Sequence, residues 1–253
     1  MVAVTLPRVL WGTKSAPKHV LLVHGLGSSA HTMWRLGEAF AEKGWCATAV
    51  DLRGHGHAPR TTTYRISDFA DDLLLTNPTH QGNWDVVIGH SIGAASAVVA
   101  AASDKDWTKK LVLLDPALTV GPERQQLVIE GQRHSHDHLT EDEVRAENPH
   151  WHPLDIQQRV TAPKQASRYA LERAVLDNTD WNTESHAAHL TMPTLVVGGD
   201  PAVDSMFTGE HADRVLASNP LITHTVIEGA GHSPHRDKPH DTIQAIAAWL
   251  QSW

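Results

Sequence analysis

The chain has 253 residues, of which 41% are hydrophobic and 20% charged, with 29 acidic residues against 21 Lys and Arg. This length supports a full core with room for one insertion, and the ordinary composition excludes a disordered or fibrous chain. The net charge of -8, without a dense Lys/Arg run, argues against a nucleic-acid partner. The apolar runs are too short to span a bilayer and the start lacks signal-peptide features, so we expect no membrane span and a cytoplasmic location.

Apolar runs of strand length alternate with segments of helical periodicity along most of the chain. Each run is rich in Val, Leu and Ile, as expected for parallel strands that are buried on both faces. We therefore predict an α/β fold with a mostly parallel central sheet and helices on both faces. The predicted strands are residues 20–23, 47–51, 84–89, 111–115, 195–198 and 223–227.

The alternation stops between about Leu118 and Leu190, where the sequence becomes polar but keeps helical signals. Thr140 and Glu143, for example, have the spacing of a capping box. We predict one α/β core formed by residues 1–117 and 190–253, with residues 118–189 inserted as a helical cap.

The motif Gly89-His90-Ser91-Ile92-Gly93 directly follows a predicted strand and precedes an Ala-rich helix. A G-x-S-x-G sequence in this context is typical of a tight turn that raises a nucleophilic serine above the sheet edge. A side chain at either glycine would collide with the turn or its neighbours. The motif therefore predicts Ser91 as a nucleophile.

A second glycine-rich turn, His24 to Ser29, follows the first predicted strand. Its backbone can approach a ligand closely, and we predict that the N–H groups of Leu26 and Ile92 form an oxyanion hole. The turn could instead hold a phosphate, but the Lys-Ser/Thr of a P-loop is missing. We expect His24 to brace this turn rather than to act as a base.

A third glycine-rich turn, Gly229 to His232, lies after the last predicted strand. A histidine here can reach over the sheet edge towards Ser91 and transfer protons near neutral pH, so we predict His232 as the general base. We expect His235 and His240 to be exposed neighbours.

The motifs HGLGSS, DLRGHG, GHSIG, LLDPA, LVVGGDP and GAGH, in this order and spacing, resemble the α/β-hydrolase superfamily over about residues 20–117 and 190–253. The chain is especially similar to serine hydrolases of this superfamily that carry a small helical cap. The resemblance implies the same roles for Ser91, His232, Leu26 and Ile92. The serine argues against haloalkane dehalogenases and epoxide hydrolases, which attack with aspartate.

The resemblance leaves the acid that orients His232 open. Most members place it after the strand corresponding to residues 195–198, which offers Asp200 or Asp204, but the usual G-x-x-D loop is one residue shorter here. A minority place it 24 residues beyond the nucleophile, where Asp115 stands. We favour Asp115, with Asp200 as the alternative.

Aromatic residues of the predicted cap, Trp151, Trp181 and Tyr169, are candidates for an apolar acyl pocket, together with leucines around Leu127. Packing within the cap would explain them equally well. The run His134-Ser135-His136-Asp137-His138 could suggest a metal site, but we interpret it as a solvated loop. We expect neither a metal nor another cofactor.

These features favour a serine hydrolase that cleaves a small-molecule ester, lactone or thioester through an acyl-enzyme. Two alternatives stay open. One is a carbon–carbon bond hydrolase or lyase that uses the same triad. The other is a catalytically silent receptor that keeps the fold.

Overall fold

The computed structural model describes residues 3–79 and 82–251 of the chain. Strands in this part are β1 (Arg8–Trp11), β2 (His19–Val23), β3 (Cys46–Val50), β4 (Val86–His90), β5 (Leu111–Leu114), β6 (Thr119–Val120), β7 (Trp181–Asn182), β8 (Thr194–Gly198) and β9 (Ile222–Val226). Seven of these described strands form one sheet in the order β1-β3-β2-β4-β5-β8-β9. Within the sheet, β1 pairs antiparallel with β3 and the other neighbours are parallel. The two short strands β6 and β7 pair with each other.

Helices cover both faces of the sheet, as the sequence predicted. Alternate residues of a strand supply different apolar clusters: Leu21 of β2 packs with Phe69 on one face, and Leu22 packs with Phe40 on the other. The helices are α1 (Trp34–Glu42), α2 (Ile66–Leu74), α3 (Ile92–Ser103), α4 (Pro122–Asp137), α5 (Glu141–Glu147), α6 (Pro153–Gln165), α7 (Arg168–Leu176), α8 (Glu184–Ala188), α9 (Gly209–Ser218), α10 (Pro234–Asp237) and α11 (Pro239–Leu250), with a 3₁₀ turn at Ala30–Met33.

The predicted α/β class and the six predicted parallel strands are confirmed, with bounds shifted by up to two residues. The antiparallel edge strand β1 is missing from the prediction. Each of its four residues is only partly buried, so it lacks the continuous apolar character that identifies the central strands. In the part of the chain that the structure covers, no helix combines the length and apolar character that crossing a membrane would require.

Helices α4 to α7 lie between β6 and β7, inside the segment predicted as a cap. The capping box at the start of α5 is present, since Thr140 Oγ1 accepts a hydrogen bond from the N–H of Glu143. The interpretation of the histidine run as a loop is wrong, because His134 to Asp137 form the last turn of α4. The proposed boundary at residues 118 and 189 stays a prediction.

Candidate active site

Ser91 lies at a strained turn between β4 and α3. Its φ of +55° and ψ of -120° fall in a region that L residues rarely adopt. A Cβ at Gly89 would lie 2.6 Å from the Cα of Ala94, and one at Gly93 would lie 2.3 Å from the carbonyl oxygen of His24. Because the chain passes this closely on both sides, the turn requires glycine at the two flanking positions.

The imidazole of His232 lies between Ser91 and Asp115. Its Nε2 is 3.0 Å from Ser91 Oγ, and its Nδ1 is 2.6 Å from Asp115 Oδ2. Because an ionised carboxylate only accepts hydrogen bonds, Nδ1 carries the proton in neutral His232. Nε2 is then free to accept the hydroxyl proton of Ser91.

Asp115 is fully buried, yet both of its oxygens have hydrogen-bond donors. Besides His232, it accepts from the Ser205 hydroxyl at 2.6 Å and from the N–H groups of Met206 at 2.8 Å and Gly199 at 3.1 Å. Burial alone would raise the pKa of Asp115, but the hydrogen bond and charge of His232, with the Met206 and Ser205 bonds, lower this pKa to about 2. The side chain is therefore a carboxylate at neutral pH.

Neither alternative acid contacts His232. The carboxylate of Asp200 accepts from the N–H groups of Ala202 and Gly229, both at 2.9 Å, and so holds two turns. Asp204 is exposed and forms an ion pair with Arg124. The shortened loop after β8 thus supplies donors to Asp115, such as Ser205, rather than an acid. These donors could not be predicted from the sequence, because nothing in the loop motif indicates where its N–H groups point.

His90 anchors the loop that carries His232. Its Nε2–H donates to the backbone carbonyl of His232 at 2.8 Å, and the two rings lie 4.9 Å apart. Burial, and then the nearby imidazoles of His235 and His232, lower the pKa of His90 well below its ordinary value, so this ring is neutral. The expectation that His235 is exposed is wrong. Its side chain is buried against His90, with ring centroids 4.8 Å apart, whereas His240 is exposed as expected.

The first glycine-rich turn packs directly against the serine turn. A Cβ at Gly25 would lie 2.7 Å from His90 Nδ1 and 3.2 Å from Ser91 Cβ, so glycine permits this approach. His24 is buried, and its two ring nitrogens bond the carbonyl of Gly25 at 2.7 Å and the N–H of Leu52 at 3.1 Å. Because both ring nitrogens bond backbone groups, His24 holds the glycine-rich turn in place, as expected.

The backbone N–H groups of Leu26 and Ile92 are the candidate oxyanion donors. Both residues line a cavity of about 390 Å³ that also contains Ser91 and His232. Ile92 is the first residue of α3, so its N–H has no partner within the helix. Within the described part of the chain, neither N–H donates a hydrogen bond to another protein group.

One of the three predicted pocket aromatics lines this cavity. Trp181 does so, with its indole N–H bonded to the carbonyl of Ala117 at 2.7 Å. Trp151 does not, because its ring packs on the small apolar cluster of α5 and α6 and its N–H bonds Asp237. Tyr169 is 53% exposed and its hydroxyl bonds a backbone carbonyl of the core, so it is also outside the cavity. Further apolar lining comes from Val120, Leu127, Val128, Val175 and Met206.

The histidine run at the end of α4 does not converge on one point. His136 Nδ1 lies 2.7 Å from Oδ1 of its neighbour Asp137. His134 Nε2 lies 3.8 Å from Glu143 Oε1. In residues 3–79 and 82–251, no group of three His, Cys, Asp or Glu side chains has a metal-binding arrangement.

The chain matches the model of the alpha/beta hydrolase family over residues 20–245. Lipase LipV from Mycobacterium tuberculosis is 37% identical over 136 residues, which are 53% of this chain and 50% of that lipase. The chain therefore spans about half the length of this curated relative. Esterase YbfF from Escherichia coli is 26% identical over 250 residues, or 91% of this chain and 92% of the esterase. The crystal structure of an N-formylmaleamic acid deformylase from Pseudomonas putida S16 superposes with a TM-score of 0.78 at 25% identity and 96% coverage of both chains.

Proposed function

Since the chain belongs to the alpha/beta hydrolase family, we propose that it hydrolyses carboxylic esters, lactones or thioesters through an acyl-enzyme on Ser91. The observation that carries this proposal is the continuous hydrogen-bond relay from Ser91 Oγ through His232 to the buried carboxylate of Asp115. A relay of this kind activates a serine that would otherwise be a weak nucleophile at neutral pH.

In the acylation step, Ser91 Oγ attacks the carbonyl carbon while its proton passes to His232 Nε2. The carboxylate of Asp115 holds the Nδ1–H tautomer and stabilises the imidazolium that forms. The N–H groups of Leu26 and Ile92 donate to the oxyanion of the tetrahedral intermediate. His232 then returns the proton to the leaving alkoxide or thiolate, and the carbon–oxygen or carbon–sulfur bond breaks.

Deacylation uses the same groups with water in place of Ser91 as the attacking group. His232 removes a proton from the water, which attacks the acyl carbon, and returns it to Ser91 Oγ as the acyl bond breaks. We assign residues 118–189 as a helical cap whose α4 and Trp181 form one side of the acyl pocket. The names of LipV and YbfF, a lipase and an esterase, support an ester substrate.

Covalent labelling with a fluorophosphonate, combined with hydrolysis of a panel of small esters, lactones and thioesters, tests the proposal. Ser91→Ala should abolish labelling and lower kcat by about 10³-fold or more, with the melting temperature retained. Ser103→Ala is a matched control, because this serine ends the same helix and its hydroxyl donates to the carbonyl of Val99 within that helix. Retention of more than about a tenth of the turnover in Ser91→Ala would overturn the assignment.

A further inference from the structure

Three arginines line the same cavity as Ser91, and one of them, Arg124, is exposed and forms an ion pair with Asp204. The other two are Arg159 and Arg236. Arg236 belongs to α10, four residues beyond His232, and Arg159 belongs to α6. We call Arg159 and Arg236 the arginine pair. They come from segments that are distant in the sequence, and the fold brings both guanidinium groups to one cavity.

Among the described residues, no carboxylate contacts either guanidinium of the arginine pair. Arg236 is only 4% exposed. Its Nη2 donates to Ser28 Oγ at 3.4 Å. Its Nε has no acceptor among the described residues. Arg159 Nη2 donates to Ser135 Oγ at 3.0 Å. The Arg236 guanidinium also lies over the Trp151 ring, 5.4 Å from its centroid. No ion pair in the described ranges involves either arginine, so both charges line the cavity without a carboxylate in contact.

Three acidic groups act on the charges of the arginine pair from a distance: Glu147 on Arg159, and Asp155 and Asp237 on Arg236. The latter two have other partners. Asp155 accepts from Arg35 Nε and from the indole N–H of Trp34, both at 2.8 Å. Asp237 accepts from the indole of Trp151 at 2.7 Å and from the N–H of Gly231 at 2.8 Å. They moderate the positive potential without satisfying the donors of the pair.

Elsewhere in the protein, an arginine at this level of burial has a carboxylate in contact. Arg53 in the core binds Asp72 through Nε at 2.6 Å and Nη2 at 2.7 Å. A buried charge without such a partner is costly, so the buried Arg236, together with the partly buried Arg159 in the same cavity, points to a ligand that supplies the missing acceptor. Although burial lowers the pKa of Arg236 to about 10, the group stays protonated at neutral pH.

We propose that the arginine pair binds a carboxylate of the substrate, so that the preferred substrates are acyl compounds with a second, anionic carboxyl group remote from the scissile bond. This inference rests on the proposed hydrolysis at Ser91. Guanidinium groups present paired donors that match the two oxygens of a carboxylate. Ser28 and Ser135 accept from the arginines, which leaves their O–H groups available to donate to the same anion.

Matched half-esters and neutral esters of equal chain length test this specificity. Monomethyl succinate, glutarate and adipate are compared with methyl butanoate, pentanoate and hexanoate by following acid release. We expect kcat/KM for at least one half-ester to exceed that of its neutral partner by about tenfold or more. In Ser91→Ala, which cannot turn over, the glutarate or adipate dianion should raise the melting temperature.

Two variants and one control connect this preference to the pair. Arg159→Gln and Arg236→Gln should each lower the ratio of half-ester to neutral-ester kcat/KM by about tenfold, mainly through KM. Arg168→Gln removes the same charge from the exterior of the segment 118–189, where Arg168 pairs with Asp137, and should leave the ratio unchanged. If Arg236→Gln does not fold, Arg159→Gln decides the result.

Equal rates for the two ester series in a protein that does hydrolyse esters would overturn the carboxylate site and leave the proposed function intact. If Ser91 is not labelled and no ester is cleaved, the proposed function fails. The dianion-induced shift in melting temperature then decides the carboxylate site separately, and absence of a shift overturns it.

Discussion

The sheet core and the helical segment above it treat charged side chains differently. In the core, Asp115 has a donor on each oxygen and Arg53 has the bidentate carboxylate of Asp72, and all three of these side chains are buried. In residues 118–189, ion pairs such as Arg133 with Glu172 lie at the surface, and Arg159 faces the cavity without a carboxylate. The core therefore fixes the geometry of the relay, while the proposed arginine pair, formed by Arg159 of this segment and Arg236 of the core, keeps donors available for a ligand.

Among the changes that test this comparison, we expect the largest effect on kcat from a substitution of Asp115, the acid of the relay. Asp115→Asn should lower kcat by roughly 10²- to 10⁴-fold with little change in KM, because the amide no longer stabilises the imidazolium. Asp200→Asn is the matched control. It should cost less than about tenfold, since this carboxylate only holds turns. Steady-state kinetics, with thermal melting to verify folding, would refute the assignment if Asp200→Asn were the crippled variant.

A second contrast concerns stability. Asp72→Ala leaves the buried Arg53 without its bidentate partner and also removes an acceptor for the N–H of Val4, so we expect a loss of about 3–5 kcal/mol in the free energy of unfolding. Glu172→Ala, in the helical segment, breaks only exposed pairs and should change stability little. Urea denaturation measures both. Equal losses would mean that the segment 118–189 is as rigidly held by its charges as the core.

The smallest expected effect is a pH dependence of the free energy of unfolding that arises from Asp115 in the core. The pKa of Asp115 is about 2 in the folded protein, below its ordinary value of 3.8. Because folding depresses this pKa, the ionised Asp115 stabilises the folded protein fully above pH 3.8. This stabilisation is lost as the pH falls towards the pKa of the folded state, about 2. We expect a contribution on the order of 2 kcal/mol at neutral pH, about half of it lost by about pH 3.

Urea denaturation at about pH 6 and about pH 3 isolates this term, because the other carboxylates contribute equally to the wild type and to Asp115→Asn. The wild type should lose about 1 kcal/mol more than the variant on acidification. Identical losses in the two proteins would show that the pKa of Asp115 is not depressed by folding.

The α/β class and the parallel strands could be predicted from the sequence because the periodicity of hydrophobic residues reflects burial directly. The edge strand β1 was missed, because its half-buried residues carry no such signal. The histidine run was assigned to a loop because it lies in a polar segment where no helix or strand was recognised.

Within the candidate site, the glycine-rich motifs predicted which side chains converge, since turns of this kind have few allowed geometries. The position of Asp115, 24 residues beyond Ser91, and the shortened loop at Asp200 favoured Asp115 as the acid. The donors that hold its carboxylate could not be predicted, because no motif encodes where loop N–H groups point. The pocket aromatics depended on which side of each helix faces the cavity, so the sequence could not separate Trp181 from Trp151 and Tyr169.

Helix α7 restricts how the segment between the sheet strands can be exchanged. Ala170, Ala174 and Val175 belong to the main apolar cluster of the core, and Ser167 N–H donates to the carbonyl of Gly54 at 2.8 Å. A chimera that swaps residues 118–189 as one block would therefore exchange side chains that pack in the core of the recipient along with those that line the cavity. A chimera designed to change the substrate range should therefore end the exchanged segment between α6 and α7, so that the recipient keeps its own α7.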